Sequence, residues 1–335
     1  ESSLSAVIKC AGMRIIPLNL ARSGYNPIQD FLSICKLIRI YKSEKPDLVH
    51  HVALKPSLYG TIAAWIARMP ATINALGGMG YIFISDRLFV RLVRKIIAKI
   101  FRILMNREKT RTILQNQDDL CLYRDEIGVN ENYLTLIHGS GIDLTKFHLK
   151  PEPSGIPIAV CVSRMLWDKG IGELIEAARI LRKRKVPIKI RLVGPIDANP
   201  SAIPQKILNA WKAEGIVDIA GPKKNIAAEY HAAHIGVLPS YREGLPKSLL
   251  EAAACGRPIV SSDVPGCREI CRHNVTGLLV PSRSVEPLAN ALAQLATDSE
   301  LRKSFGQKGR LLAERRFGLE SVISDTIDVY DQLLR

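Results

Sequence analysis

Short runs of β-branched and aliphatic residues recur along this chain, separated by stretches long enough to form a helix. Five stand in the first half, MRIIPL (13–18), DLVHHV (47–52), ATINAL (71–76), RTILQN (111–116) and LTLIH (134–138). Six follow, PIAVCVS (157–163), IKIRLVG (188–194), VDIAG (217–221), IGVLPS (235–240), PIVSS (258–262) and LLVP (278–281). Near-continuous apolar runs of this length suit strands buried on both faces. Helices between them make the connections parallel crossovers, so the pattern predicts an α/β fold. At 335 residues the chain exceeds the usual size of one core, and two domains are expected. The break falls in HLKPEPSGIP (148–157), where Pro151, Pro153 and Pro157 can continue neither a helix nor a central strand. The predicted organisation is a first Rossmann-like domain over 1–150, a second over 151–318, and a final helix, 319–335, packing back toward the first. In such sheets ligands bind outside the carboxyl ends of the strands, which places the chemistry in a cleft between the two domains.

One of those loops is informative. In EGLPKSLLEAAACGRPIV (243–260) a strand-to-helix turn carries Glu243 before Gly-Leu-Pro and Glu251 two turns into an Ala/Leu-rich helix that ends on a glycine. Pro246 in the first turn leaves the backbone N–H groups of Lys247, Ser248 and Leu249 free, and the helix dipole adds partial positive charge, a combination suited to phosphate oxygens. Gly244 allows close approach to the backbone. The two carboxylates stand roughly 8 Å or more apart along such a segment, so they act on different parts of one ligand and do not share a proton.

The same stretch, read with its neighbours, resembles the retaining nucleotide-sugar glycosyltransferases of the two-Rossmann GT-B architecture, the large family 4 group. The matching pieces run in order: KPDLVHHVALKPSLYG (45–60), LGGMGYIF (76–83), ILQNQDD (113–119), IHGSGIDLTKF (137–147), VSRMLWDKG (162–170), LPSYREGLPKSLLEAAACGRPIV (238–260), PGCREI (265–270) and GLLVP (277–281). HHVALKP and GMGYIF are most similar to enzymes that build capsule, O-antigen or glycan precursors on polyprenyl diphosphate. The resemblance implies that Glu243 approaches the donor sugar's hydroxyls and that Glu251 accepts from the ribose diol, both tasks for ionised acceptors. It assigns Gly244, Leu245, Pro246, Lys247 and Ser248 to donor binding. Arg164 and Lys169 are to hold the diphosphate and offset charge on the leaving nucleotide, so no metal and no cofactor is expected. The acceptor hydroxyl then attacks the face from which the nucleotide leaves, with the protein supplying position and charge.

Two departures stand out. Relatives carry a histidine facing the donor sugar where this chain has Asn74, and an amide cannot take up a proton at neutral pH. Asn74 is therefore a candidate for the sugar or acceptor side without an acid–base role, together with Gly77 and His51 as candidates for the same side, and His50 is the alternative to His51. Relatives also open with a strand, a Gly-rich loop and a helix that nothing before Glu1 supplies, so the first domain is expected to lack its opening β-α-β segment.

Lys and Arg outnumber Asp and Glu by 47 to 32, a net charge of +15 that calls for a polyanionic partner. Between Ser85 and Arg111 the residues Arg87, Arg91, Arg94, Lys95, Lys99 and Arg102 recur every three to four positions among bulky aliphatics. That spacing predicts an amphipathic helix that docks on an anionic membrane surface, or a crossover helix with a solvated basic face. Nucleic acid is not favoured: aromatic residues are 6% and no recognition signature is present. The seven cysteines include no CxxC and mostly sit in apolar runs, which reads as buried free thiols in a reducing compartment. With no signal peptide or membrane span, the expectation is a cytoplasmic protein, peripheral on the inner face of the plasma membrane. A GT-B sugar-nucleotide epimerase and a catalytically silent sugar-nucleotide-binding subunit remain the alternative readings. A dehydrogenase is disfavoured by the absence of G-x-G-x-x-G after a strand.

Overall fold

The computed structural model describes residues 3–18, 27–78, 88–197 and 199–335. Ten strands form two sheets, and every strand pairing in both is parallel. The first sheet takes its strands in chain order: β1 (Leu48–Val52), β2 (Ala71–Leu76), β3 (Thr110–Leu114) and β4 (Leu134–Leu136). The second contains β5 (Ile158–Val162), β6 (Lys189–Val193), β7 (Val217–Gly221), β8 (Ile235–Leu238), β9 (Ile259–Ser262) and β10 (Gly277–Val280), in the order β10-β9-β8-β5-β6-β7. Every apolar run named above forms a strand except MRIIPL: residues 13–18 form no regular element and are mostly exposed. A strand needs a neighbouring ladder, and this segment has none among the described residues.

The strand order places the site. From β5 the second sheet proceeds to β6 and β7 on one side, whereas β8, β9 and β10 lie on the other. The loops leaving β5 and β8 therefore diverge and open a crevice at the carboxyl ends of these adjacent strands. Arg164 follows β5, and Glu243 follows β8.

Side chains of the first sheet alternate between two packing partners. Ala71 and Ile73 of β2, with Ile113 and Ile137, pack against Val322, Val329 and Leu333 of the last helix, Leu319–Leu334. On the opposite face Leu76 and Leu114 meet Ile97, Phe101 and Met105 of the helix Leu88–Met105. The last helix follows directly on the second half of the chain. Its entry is fixed by paired backbone bonds, Ile142 N–H to Phe317 O at 2.8 Å and Leu319 N–H to Ile142 O at 3.1 Å. Gly141 permits this crossing: at φ +70°, a Cβ there would lie 2.7 Å from Leu319 Cα. Further along, Tyr330 Oη meets His50 Nδ1 at 2.6 Å, and Lys109 donates to Leu333 O at 3.2 Å.

Because Leu333 is buried in that contact and Ile327 of the same helix is exposed, the two respond differently to truncation. Leu333→Ala is expected to cost about 2–4 kcal/mol in urea unfolding and Ile327→Ala less than about 0.5 kcal/mol. Equal costs would mean that the last helix is not anchored through this face.

Candidate active site

The loop after β5 is stitched to the loop after β6. Ser163 N–H donates to Val193 O at 2.9 Å and Met165 N–H to Pro195 O at 3.0 Å. At Gly194, φ +148°, an added Cβ would fall 1.8 Å from Ser163 O, so only glycine lets the two loops run this close. Arg164 extends from this platform, and its Nη1 lies 2.5 Å from Asp197 Oδ2. The short turn Trp167–Lys169 is bound to the segment after β8: Tyr241 N–H donates to Asp168 O at 2.9 Å, and Ser240 Oγ at 3.1 Å. These bonds bring Lys169 to Glu243, with Nζ and Oε1 2.5 Å apart and only 19% and 12% of the side chains exposed.

Pro246 caps the helix Lys247–Ala254, and no side chain satisfies its first N–H groups. One part of the sequence reading is corrected here. Leu249 N–H is not free, because the tightened first turn lets it donate to Pro246 O at 3.0 Å. Glu251, one turn along, is 8% exposed. Burial pushes its carboxyl up to about 7 against the opposing pull of Lys247 and Lys146. Glu243 and Glu251 thus differ: the first is ion-paired in the crevice, the second buried in the helix beneath it.

Gly244 is smaller than a ligand-approach argument requires, for a different reason. A Cβ there would sit 2.1 Å from the carbonyl oxygen of Gly77, so the atoms that approach it belong to the loop leaving β2 of the first sheet. Gly77 is thereby brought to the crevice, beside the turn that carries Glu243. Three residues without assigned roles in the sequence reading hold this junction. Asn116 Nδ2 donates to Gly244 O at 2.7 Å and to Asp119 Oδ2 at 2.9 Å, while its Oδ1 accepts from Asp119 N–H at 2.8 Å. Arg242 Nη2 reaches Asp119 Oδ1 at 2.5 Å. Around them Gln117 N–H donates to Glu269 at 2.9 Å and Arg268 to Asp118 at 2.8 Å. The sequence signals were ILQNQDD, PGCREI and, for Arg242, LPSYREGLP, matching stretches in which these residues had no assigned role.

Asn74 and His51 do not line the crevice. Both sit inside the first domain, with Asn74 fully buried. In register across β1 and β2, His51 Nδ1 lies 2.9 Å from Asn74 Oδ1, which also accepts from Thr61 at 2.7 Å. His51 Nε2 meets the Tyr41 hydroxyl at 2.9 Å, and burial pushes the imidazole down to about 4. Alternation along the strands turns them toward the helix Leu54–Ala67, where the Asn74 oxygen and both His51 nitrogens find partners and Asn74 Nδ2 is buried with none among the described residues. His50 is engaged by Tyr330.

Arg87 lies outside the described residues, as do Met79 to Phe83 of LGGMGYIF. In the helix Leu88–Met105 the residues Arg91, Lys95, Lys99 and Arg102 are exposed, alongside exposed Leu92, Ile96 and Ile103. Arg94 departs from the predicted basic face: it is half-buried on the side of Ile97 and Phe101, since positions 94, 97 and 101 share one stripe of the helix. The helix is thus a crossover element with a second, basic and apolar face left open.

Four cysteines, Cys161, Cys255, Cys267 and Cys271, are buried, and burial holds their thiols above the ordinary range; Cys10 is exposed, and Cys35 and Cys121 are half-buried. Among the described residues no group of three or more His, Cys, Asp or Glu side chains could hold a metal ion, and no helix is long and apolar enough to cross a membrane.

Two parallel sheets joined at a crevice, with the switch point of the second facing the first, define a GT-B fold, and solved structures agree. Anabaena Alr3699/HepE in complex with UDP superimposes with a TM-score of 0.76 at 16% identity, over 99% of this chain and 90% of that one. WaaG, described as a glycosyltransferase involved in lipopolysaccharide biosynthesis, gives 0.72 at 17% identity over 95% and 86%. The sequence pattern of Glycosyl transferases group 1 matches residues 145–312, and that of Glycosyl transferase 4-like matches 2–117. The chain belongs to this glycosyltransferase family. Among characterised relatives, it is 30% identical to the N,N'-diacetylbacillosaminyl-diphospho-undecaprenol α-1,3-N-acetylgalactosaminyltransferase of Campylobacter jejuni, across 87% of this chain and 78% of the relative. It is 26% identical to the UDP-Gal:α-D-GlcNAc-diphosphoundecaprenol α-1,3-galactosyltransferase of Escherichia coli, across 82% and 72%.

Glu251 makes stability depend on pH. Its folded carboxyl ionises near about 7 against an ordinary 4.5. Between these values the unfolded chain releases the proton and the folded chain retains it, so stability falls as pH rises through this window. Glu251→Gln is expected to flatten that slope and to be more stable than the parent at pH 8, by up to about 2–3 kcal/mol. Parallel pH profiles in chemical denaturation would show that the carboxyl is not held protonated.

Proposed function

We propose that this protein is a retaining, metal-independent glycosyltransferase that moves a sugar from a nucleoside diphosphate sugar to a polyprenyl-diphosphate-linked saccharide in surface polysaccharide or glycan assembly. The observation that carries the reading is the meeting of Lys169 and Glu243 at 2.5 Å, on the loop that leads into the helix Lys247–Ala254, whose first turn no side chain caps. An ammonium, a guanidinium and a helix start are carried by the loops after β5 and β8, on the two sides of the switch point, and a diphosphate is a ligand whose charge suits all three. On its arrival Lys169 and Arg164 exchange their carboxylate partners, Glu243 and Asp197, for phosphate oxygens. Glu243 is then released to accept from the donor sugar's hydroxyls, and Glu251 accepts from the ribose diol. The two cations offset the charge that grows on the leaving nucleotide, the role a metal ion takes in other transferases.

A UDP-linked hexose or N-acetylhexosamine is the proposed donor. The Escherichia coli relative's name specifies UDP-galactose, and the Anabaena structure holds UDP. The acceptor class follows from the undecaprenyl-diphosphate acceptors named for the relatives above. A lipid-borne acceptor requires the crevice to work at a bilayer, and the open face of the helix Leu88–Met105 offers cations and aliphatics together, the composition that settles at an anionic interface.

Lys169→Ala and Glu243→Ala are each expected to lower turnover about 10²–10³-fold with the fold intact, and turnover is expected to persist in EDTA. These are read by nucleotide release with a UDP-sugar and a polyprenyl-diphosphate-linked acceptor. Near-normal rates in both variants would remove the site assignment, and loss in EDTA restored by magnesium or manganese would remove metal independence. Changing Arg91, Lys95 and Lys99 together to Glu should release the protein from anionic liposomes, at about 1 kcal/mol for each cation lost; unchanged co-sedimentation would count against docking by this helix.

A further inference from the structure

The turn that carries Glu243 is built by both domains, and its most completely bonded contact comes from the first. Asn116, fully buried, uses its whole amide: Oδ1 accepts from Asp119 N–H, and the two hydrogens on Nδ2 go to Asp119 Oδ2 and Gly244 O. Asp119, 1% exposed, gives its other oxygen to Arg242, the residue before Glu243. Burial raises the Asp119 carboxyl, whereas Arg242 and Asn116 both pull it back toward ionisation. The backbone around Glu243 is thus held on both flanks, through the side chain of Arg242 before it and the Gly244 carbonyl after it. The Gly77 carbonyl and Gly266 close the remaining space: Cβ atoms on Gly244 and Gly266 would lie 2.1 Å from Gly77 O and 2.2 Å from Gly244 O.

We propose that Asn116 and Asp119 are positioning residues of the transfer reaction: seated on the acceptor-side sheet, they set the backbone at Glu243 through Gly244 and Arg242, so that the donor carboxylate is in register only when the two domains are docked. This rests on the reading of Glu243 as the group that meets the donor sugar, and adds how that group is placed. Every other element assigned to the nucleotide, namely Arg164, Lys169, the helix start and Glu251, belongs to the second sheet. Loss of the Asn116–Asp119 grip therefore misplaces Glu243 without removing a nucleotide contact. A displacement near 1 Å at a reacting centre can cost about 10²-fold in rate.

The test uses isosteric substitutions in the whole protein, with UDP as the binding probe. Asp119→Asn removes the charge facing Arg242, and Asn116→Asp turns a carboxylate oxygen toward the Gly244 carbonyl. Both are expected to lower kcat at least tenfold while the Kd for UDP by calorimetry stays within twofold and the melting temperature within a few degrees. Arg242→Gln combined with Asp119→Asn should lose little more than either alone, because the pair acts as a unit. Should Asn116→Asp fail to fold, Asn116→Ser, which drops the donor to Gly244, takes its place. A kcat within twofold of the parent in both substitutions overturns the proposal, and so does a loss of UDP affinity and melting temperature in step with kcat, which marks a merely structural contact. If the parent itself binds no UDP, the donor-site reading fails instead, an outcome distinct from either.

Discussion

The arrangement depends on one ion pair, Lys169 with Glu243. Each partner is held by backbone, Lys169 by the turn stitched to Pro239–Tyr241 and Glu243 by the loop that Gly244 anchors, so the side chains meet without either loop being free to adjust. Gly170 shows how little slack exists: at φ +68°, a Cβ there would lie 2.0 Å from Pro239 O. A largely buried ammonium and carboxylate must each have a partner, because an isolated charge in that environment is costly. The pair therefore gives each group its partner within the crevice. An incoming dianion offers Lys169 a replacement partner, while sugar hydroxyls offer one to Glu243, so the two exchanges compensate each other only when one ligand brings both. That condition describes a sugar diphosphate, and it discriminates against a bare phosphate, which would leave the carboxylate unpaired.

Much of this was legible in the residues, for reasons that can be named. Buried parallel strands are continuous apolar runs, so β1 to β10 stand out in the sequence, and the Pro151–Pro157 break separates the two sheets. The glutamates and the Gly-Leu-Pro turn were visible because a strand, a turn and a helix start lie within one local window. Contacts between distant windows were not. Asn116 and Gly244 are 128 positions apart, and neither carries a local pattern that announces the other. Gly244 was noticed for its small size, but sequence cannot say whether the freed space holds a ligand or another backbone, and here it holds Gly77. Asn74 was placed on the sugar side by the resemblance, from the histidine that relatives carry there, whereas the register that pairs it with His51 turns its side chain into the core. MRIIPL has strand composition, but composition does not supply the neighbouring ladder a strand requires.

The distribution of charge ties these parts together. Several arginines of the second domain are engaged in ion pairs: Arg179 with Glu214, Arg184 with Glu286, Arg191 with Asp218 and Glu229, Arg302 with Glu152, and Arg310 with Glu314. On the helix Leu88–Met105, Arg91, Lys95, Lys99 and Arg102 have no ion pair among the described residues, so part of the excess of 15 positive charges is concentrated on one exposed face of the first domain. A field with that asymmetry orients the molecule at an anionic surface as well as attracting it. The same helix packs its other face on β2 and β3 through Leu76, Leu114, Ile97 and Phe101, and the loop leaving β2 carries Gly77 to the turn at Gly244. The basic helix face, the first sheet and the turn that carries Glu243 are therefore joined by one continuous packed layer. Under the proposed function, a lipid-linked acceptor held at the surface meets a crevice whose orientation and whose catalytic carboxylate are fixed by the same sheet.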